Sequence, residues 1–298
     1  MRILVTGLGD IAHKAYLPVL SVMPDVQLHL ATRNAQVLDQ AGRSFRVAGL
    51  HSSLDQALRT ETFDAAFVHA ATDAHPALVR TLLERRIPTL VDKPLANTFG
   101  EVEQLVALAQ RQETLLTIGF NRRFAPAHVA LKALQADLIV MEKHRHRQPD
   151  APRRVAFDDC IHVVDTLLFL APRPVLRRTI ETHVEQGQML SATLMLAGDG
   201  FTAIGTMHRN SGLDEERLDV IGNGLRHSVL NMAEERRMEG GAWHRRRGDW
   251  TTVGKQRGFE AMCADFLAAA KERRATDADA ILATHQICEA ITRHAEGV

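Results

Sequence analysis

The sequence predicts two domains of different class, an α/β half built on a parallel sheet followed by a half built on an antiparallel sheet. Three observations carry this. Over the first 120 residues, short β-rich runs alternate with helical patterns, as βαβ units require. From 174 to 232 the chain reads as long strands joined by hairpins, with turn signals at Gly198-Asp199-Gly200 and Asn223-Gly224. A length of 298 residues leaves room for two domains, at about 150 residues each. The change of pattern sets the domains at 1–120 and 121–298.

In chain order, strands are predicted at 2–6, 26–31, 65–70, 88–91 and 115–118, with a short extra one near 46–49. Between the last two lies a helix from Thr98 to Gln112, with Val102, Leu105, Val106, Leu108 and Ala109 on one apolar face. Asn97 or Thr98 caps it, ahead of Glu101. A helix follows at 127–135, then a strand at 137–147, a Pro- and Arg-containing loop at 148–156 and a helix at 158–170. Two more helices, at 258–273 and 277–294, close the chain.

Composition excludes several classes. Lys+Arg and Asp+Glu stand at 36 each, so no net field favours nucleic acid or an anionic membrane. Cys160, Cys263 and Cys288 are too few and too scattered for a disulfide framework or a thiolate metal site. No HxxxH or CxxC spacing supports a metal, and no apolar run approaches the roughly 18 residues of a membrane helix. The opening Ile3-Leu4-Val5-Thr6-Gly7 has no secretory leader pattern, so a cytoplasmic location is expected.

The chemistry-bearing motifs follow the strands. Gly7-x-Gly9-x-x-Ala12 comes after a strand and opens a helix, the context of a dinucleotide fingerprint. Gly7 permits the tight turn, Gly9 lets the backbone reach a pyrophosphate, and Ala12 allows close helix packing; Asp10 and Ile11 supply amides at the helix start. The second strand ends at Thr32-Arg33 rather than in an acid, which suits the 2′-phosphate of NADP over NAD. Thr72 and His75, at the end of the strand 65–70, are counted as cofactor contacts, although His75 also reads as a structural helix-start residue.

Val91-Asp92-Lys93-Pro94 ends a buried strand, and proline stops its ladder. It delivers a carboxylate and an ammonium to the carboxyl edge of the sheet, where open α/β folds bind ligands. Asp92 and Lys93 are therefore cofactor contacts, and Lys93 is a candidate for stabilising charge on a reacting oxygen. Asp158 and His162 stand four apart on a helix, so a carboxylate could orient an acid/base imidazole. The run 143–147, Lys-His-Arg-His-Arg, alternates faces on a strand and reads mainly as solvated; the basic run 243–247 reads as a loop.

These motifs, in this order, resemble the Gfo/Idh/MocA oxidoreductases over essentially the whole chain. The likeness extends to the segment from Asn121 to Pro126 and to Gln256-Arg257-Gly258-Phe259, and it is similar in detail to the bacterial MviM-like branch. The resemblance implies an N-terminal Rossmann domain and a C-terminal α+β domain with a large, open, mostly antiparallel sheet. It also implies a catalytic set of Lys93 and His162 helped by Asp158. Arg122, Arg123 and Asp159 are candidate substrate contacts. Asp92 stands where the family usually has glutamate. The implied activity is hydride transfer between NADP (or NAD) and a secondary alcohol of a sugar, cyclitol or related polyol, in a homodimer or higher homo-oligomer. His162 would exchange the hydroxyl proton while Lys93 polarises the oxygen. The alternative is a catalytically silent, nucleotide-binding sensor of the same fold.

Overall fold

The computed structural model describes residues 1–246 and 248–298, so Arg247, the end of the basic run 243–247, lies outside the described residues. The chain forms two compact units, Met1–Gly119 with Phe259–Leu282, and Phe120–Gly258 with Ala283–Val298.

The first unit holds six parallel strands: β1 (Arg2–Thr6), β2 (Gln27–Ala31), β3 (Gly49–His51), β4 (Ala65–Val68), β5 (Thr89–Val91) and β6 (Leu116–Ile118). Their order is β3-β2-β1-β4-β5-β6, which reverses direction between β1 and β4 and opens a crevice at their carboxyl ends. Every residue of β4 and β5 is buried, as expected where helices cover both faces. The helix Phe99–Arg111 starts where the sequence placed it, with Thr98 as cap accepting from the Glu101 amide at 3.3 Å. The late helix Phe259–Glu272 also belongs here rather than to a C-terminal domain. Phe266 packs edge-on against Phe67 at 5.0 Å, and Phe259 against Tyr16 at 5.2 Å. Aromatic burial, a non-local effect, thus brings a segment from beyond residue 258 back to the first unit.

The second unit is an eight-stranded sheet. Its strands are β7 (Leu138–His146), β8 (Arg177–Glu185), β9 (Gln188–Gly198), β10 (Phe201–Ser211), β11 (Glu215–Gly222), β12 (Leu225–Leu230), β13 (Glu234–Met238) and β14 (Ala242–Arg246). They lie in the order β14-β13-β12-β11-β7-β10-β9-β8, all antiparallel except for β7 against β10. The helix Ile161–Leu170 packs on β7 and β10.

Two expectations are corrected. The segment 148–156 is not all loop, because a helical turn at Pro152–Arg154 leads through a wide π-type turn at Val155–Cys160 into the helix Ile161–Leu170. Burial of Val155, Ala156 and Phe157 overrides the local Pro and Arg signal. The run from 243 is strand, not loop, as far as Arg246. Glu235 pairs with Arg245 at 2.6 Å and Glu234 with Arg246 at 3.3 Å across the β13–β14 hairpin, so opposite charges stabilise a pairing with no apolar signature.

Candidate active site

In the first unit, the glycine turn sits at the topological switch point. Gly7 has φ +83°, and a β-carbon there would lie 2.3 Å from the Ala70 nitrogen at the end of β4, so only glycine lets the two strand ends meet. The chain turns at once into helix, and its first amides have no intrahelical acceptor. This turn and these amides fit a dinucleotide pyrophosphate: Gly7, Gly9, Asp10, Ile11 and Ala12 would hold it, and the bound cofactor would supply the hydride acceptor or donor. At the end of β2, Thr32 is half-buried and Arg33 exposed, while Asn34 caps the next helix through the Gln36 and Val37 amides at 3.1 and 3.2 Å. Arg33 is thus an exposed cation at the edge where a ribose would lie.

The turn carrying Lys93 is held from below. Tyr16 is fully buried, donates its hydroxyl to Asp92 Oδ1 at 3.1 Å and stacks on His69 with ring centroids 3.8 Å apart. Burial raises the Asp92 carboxyl above the usual carboxylate range, opposed by the Lys93 ammonium and the Tyr16 hydroxyl. A side chain at Gly119 would come within 2.5 Å of the Tyr16 oxygen, so this glycine keeps the space open. The Lys93–Pro94 bond is cis.

His75 is held between two backbone carbonyls. It is 1% exposed, with Nδ1 2.8 Å from the Pro94 carbonyl and Nε2 3.0 Å from the Ala70 carbonyl. The ring ties the end of β4 to the Lys93–Pro94 turn, the structural alternative for this residue. Thr72 begins a short 3₁₀ turn and is half-buried at the same edge. Tyr16 and His69 were missed; a lone tyrosine four residues past Ala12 carries no motif, and its role comes from contacts across the sheet.

In the second unit, His162 sits half-buried on the helix Ile161–Leu170, and the Arg122 Nη1 donates to its Nδ1 at 2.7 Å. Asp158 lies in the preceding wide turn with a partly exposed carboxylate 3.6 Å from Arg154.

The three expected substrate contacts are committed within the unit. Arg122, 6% exposed, makes a bidentate fork with Glu216 at 2.8 and 2.5 Å. Arg123 clamps buried Asp165 at 2.6 and 3.0 Å and lies over the Phe120 ring. Asp159 accepts a fork from Arg145 at 3.0 and 2.8 Å and a further bond from Arg209. Each of the three is thus paired with an opposite charge far from it in sequence or on another element.

That network is a buried cluster of Arg122, Lys143, Arg145 and Arg209 around Asp159 and Glu216. Lys143 was read as mainly solvated and is 5% exposed, because the period of two on β7 places it with Ile139 and Met141 on the helix-covered face. Burial lowers its ammonium to about 8, against the pull of Glu216. Although burial opposes both shifts, the Arg145 hydrogen bonds and the surrounding cations hold the Asp159 carboxyl at about 2, and the charge and hydrogen bonds of Arg122 push Glu216 well below the carboxylate range. Burial raises the Cys160 thiol to about 12, so it is no nucleophile.

A six-stranded sheet in this order, with a glycine turn at its switch point, defines a dinucleotide-binding protein. Comparison with known proteins agrees. A family described as "Oxidoreductase family, NAD-binding Rossmann fold" matches residues 1–120, and a "YceM-like, C-terminal domain" matches 126–240. The protein YceM of Salmonella typhimurium is 35% identical over 99% of this chain and 98% of its own length. A Gfo/Idh/MocA family oxidoreductase from Vibrio cholerae superposes with a TM-score of 0.93 at 32% identity, covering 100% of this chain and 98% of that one. The myo-inositol dehydrogenase Hyg17 of Streptomyces leeuwenhoekii is 32% identical over 54% of this chain and 51% of its own. The protein belongs to the Gfo/Idh/MocA oxidoreductase family. Among its described residues, no helix is long and apolar enough to cross a membrane.

Proposed function

We propose that the protein is a dehydrogenase that transfers a hydride between NADP, or NAD less readily, and a secondary alcohol or ketone of a sugar, cyclitol or related polyol. The observation that carries this is Lys93 on a fixed turn at the carboxyl end of β5, in the same unit as the glycine cradle. The inositol activity named for Hyg17 supports a polyol substrate. Exposed Arg33 beside uncharged Thr32 supports NADP.

Of the side chains assigned to the reaction, Lys93 polarises the reacting oxygen and His162, oriented by Asp158, exchanges the hydroxyl proton. Asp158 contributes negative charge near the start of the His162 helix. The same reading includes a homodimer through the sheet face turned away from the helix Ile161–Leu170, where Val140, Ile204 and Met195 stand in one cross-strand row.

The test is a spectrophotometric screen of sugars, inositols and sugar acids with both cofactors, followed by Lys93→Ala and His162→Ala on any active pair. Each variant should lose at least about a hundredfold in kcat while binding reduced cofactor nearly as well as the parent. Near-full activity in both variants would reject the assignment, and a tenfold tighter Kd for NAD would reject the cofactor preference.

A further inference from the structure

We infer that Lys143, helped by Arg145, binds a carboxylate of the substrate, so that the polyol on which the protein acts is a sugar acid or another polyhydroxy acid. The inference rests on the assignment of His162, in the same unit, to the reacting alcohol.

Lys143 is a buried cation with too few acceptors. It is 5% exposed, and an ammonium carries three N–H groups. Among the described residues it makes one hydrogen bond, to Glu216 Oε2 at 3.4 Å, which is long for such a bond. Its next carboxylate oxygen, Asp159 Oδ1, lies 3.8 Å away. Arginines hold these acceptors more closely: Arg122 forks onto Glu216 at 2.8 and 2.5 Å, and Arg145 onto Asp159 at 3.0 and 2.8 Å. A buried ammonium in this state is destabilising until a further acceptor completes its shell.

The charges point to an anion as that acceptor. Arg122, Lys143, Arg145 and Arg209 stand around Asp159 and Glu216, and Asp214 adds a third carboxylate 3.7 Å from Arg145. Among the described residues, one positive charge of the cluster is left over. His128, which acts on Glu216 from the helix Pro126–Lys132, adds none near neutrality, because burial lowers its imidazole to about 4. A single surplus charge matches a carboxylate better than a phosphate dianion.

The cluster opens along β7. Met141 is fully buried, Lys143 nearly so, and the Arg145 side chain is 29% exposed. Lys143 and Arg145 flank the same oxygen, Asp159 Oδ1, at 3.8 and 2.8 Å. Arg145 spends Nε and Nη2 on Asp159, and its Nη1 has no oxygen nearer than Asp214 at 3.7 Å. A carboxylate entering at Arg145 therefore meets unused N–H groups of a guanidinium and then the ammonium. The link to His162 is short: Arg122 grips the Glu216 carboxylate that Lys143 shares, and its Nη1 lies 2.7 Å from His162 Nδ1.

The test is calorimetric titration of the protein with NADPH present, which leaves alcohols unoxidised so that binding is read without turnover. The probes are D-gluconate, D-galactonate and D-mannonate, each against the alditol of the same configuration, with D-glucose 6-phosphate as the phosphate probe. In at least one pair the acid should bind at least about tenfold tighter than its alditol, and Lys143→Met should lose that preference while keeping the Kd of the alditol. Arg145→Gln, at a partly exposed position, should weaken the acid at least about fivefold and carries the test if Lys143→Met does not fold. Equal binding of acid and alditol in every pair, an acid preference that survives Lys143→Met, an unchanged acid Kd in Arg145→Gln, or a Lys143-dependent preference for the phosphate alone overturns the inference. Acid binding without turnover of any alcohol would reject the proposed function alone, and turnover of neutral polyols with no preference for acids would reject this inference alone.

Discussion

Asn substituted for Asp159 tests whether the buried charge cluster holds the second unit together. The wild-type carboxylate, 8% exposed, is shared by Arg145, Arg209 and Lys143. Its cations hold it at about 2, against an ordinary 3.8, which by linkage corresponds to about 2 kcal/mol at neutral pH. Removing one partner from a buried ion pair costs about 3–5 kcal/mol, and asparagine keeps one acceptor oxygen. The expected loss for Asp159→Asn is therefore about 2–4 kcal/mol. The sign of the pH dependence follows. A carboxylate with a lowered folded value stabilises above its unfolded value and loses that stabilisation as pH falls through the folded one. The gap between wild type and variant should be full at pH 7 and about half as large at pH 3. Urea unfolding followed by far-UV circular dichroism at both pH values measures it. A gap under about 0.5 kcal/mol at pH 7, or an equal gap at both pH values, would refute the reasoning.

Lys143 should give the opposite slope. Burial holds it at about 8 instead of 10.5, so the folded protein gains stability as pH rises between those values, by about 2–3 kcal/mol in all. Lys143→Met should lack this rise in urea midpoints compared at pH 7.5 and 10, and a parallel pair of curves would show that the ammonium is not buried. Gly7→Ala places a β-carbon against the end of β4 in a left-handed conformation, so Kd for NADPH by fluorescence titration should weaken at least tenfold. An unchanged Kd would show that the turn does not form the cradle.

The fold was legible because its signals are local and periodic. All six strands of the parallel sheet appear within a few residues of their predicted positions, and Thr98 caps its helix as the sequence indicates. The strands β13 and β14 were not legible, because Glu234, Glu235, Arg245 and Arg246 pair only after the hairpin has formed. The return of Phe259–Glu272 to the first unit likewise depends on what Phe67 and Tyr16 offer it.

By itself the sequence determined the dinucleotide turn at Gly7, the Lys93-Pro94 stop and the presence of a histidine on a core helix. Each is set by backbone conformation or periodicity, and those need no distant partner. Only the tertiary structure decided what surrounds them: Tyr16 under Asp92, His75 bridging two strand ends, and Arg122 on His162 backed by Glu216. Arg122 and Glu216 are 94 positions apart. Low dielectric and exclusion of water make such a contact decisive once formed, but no spacing rule connects its partners beforehand.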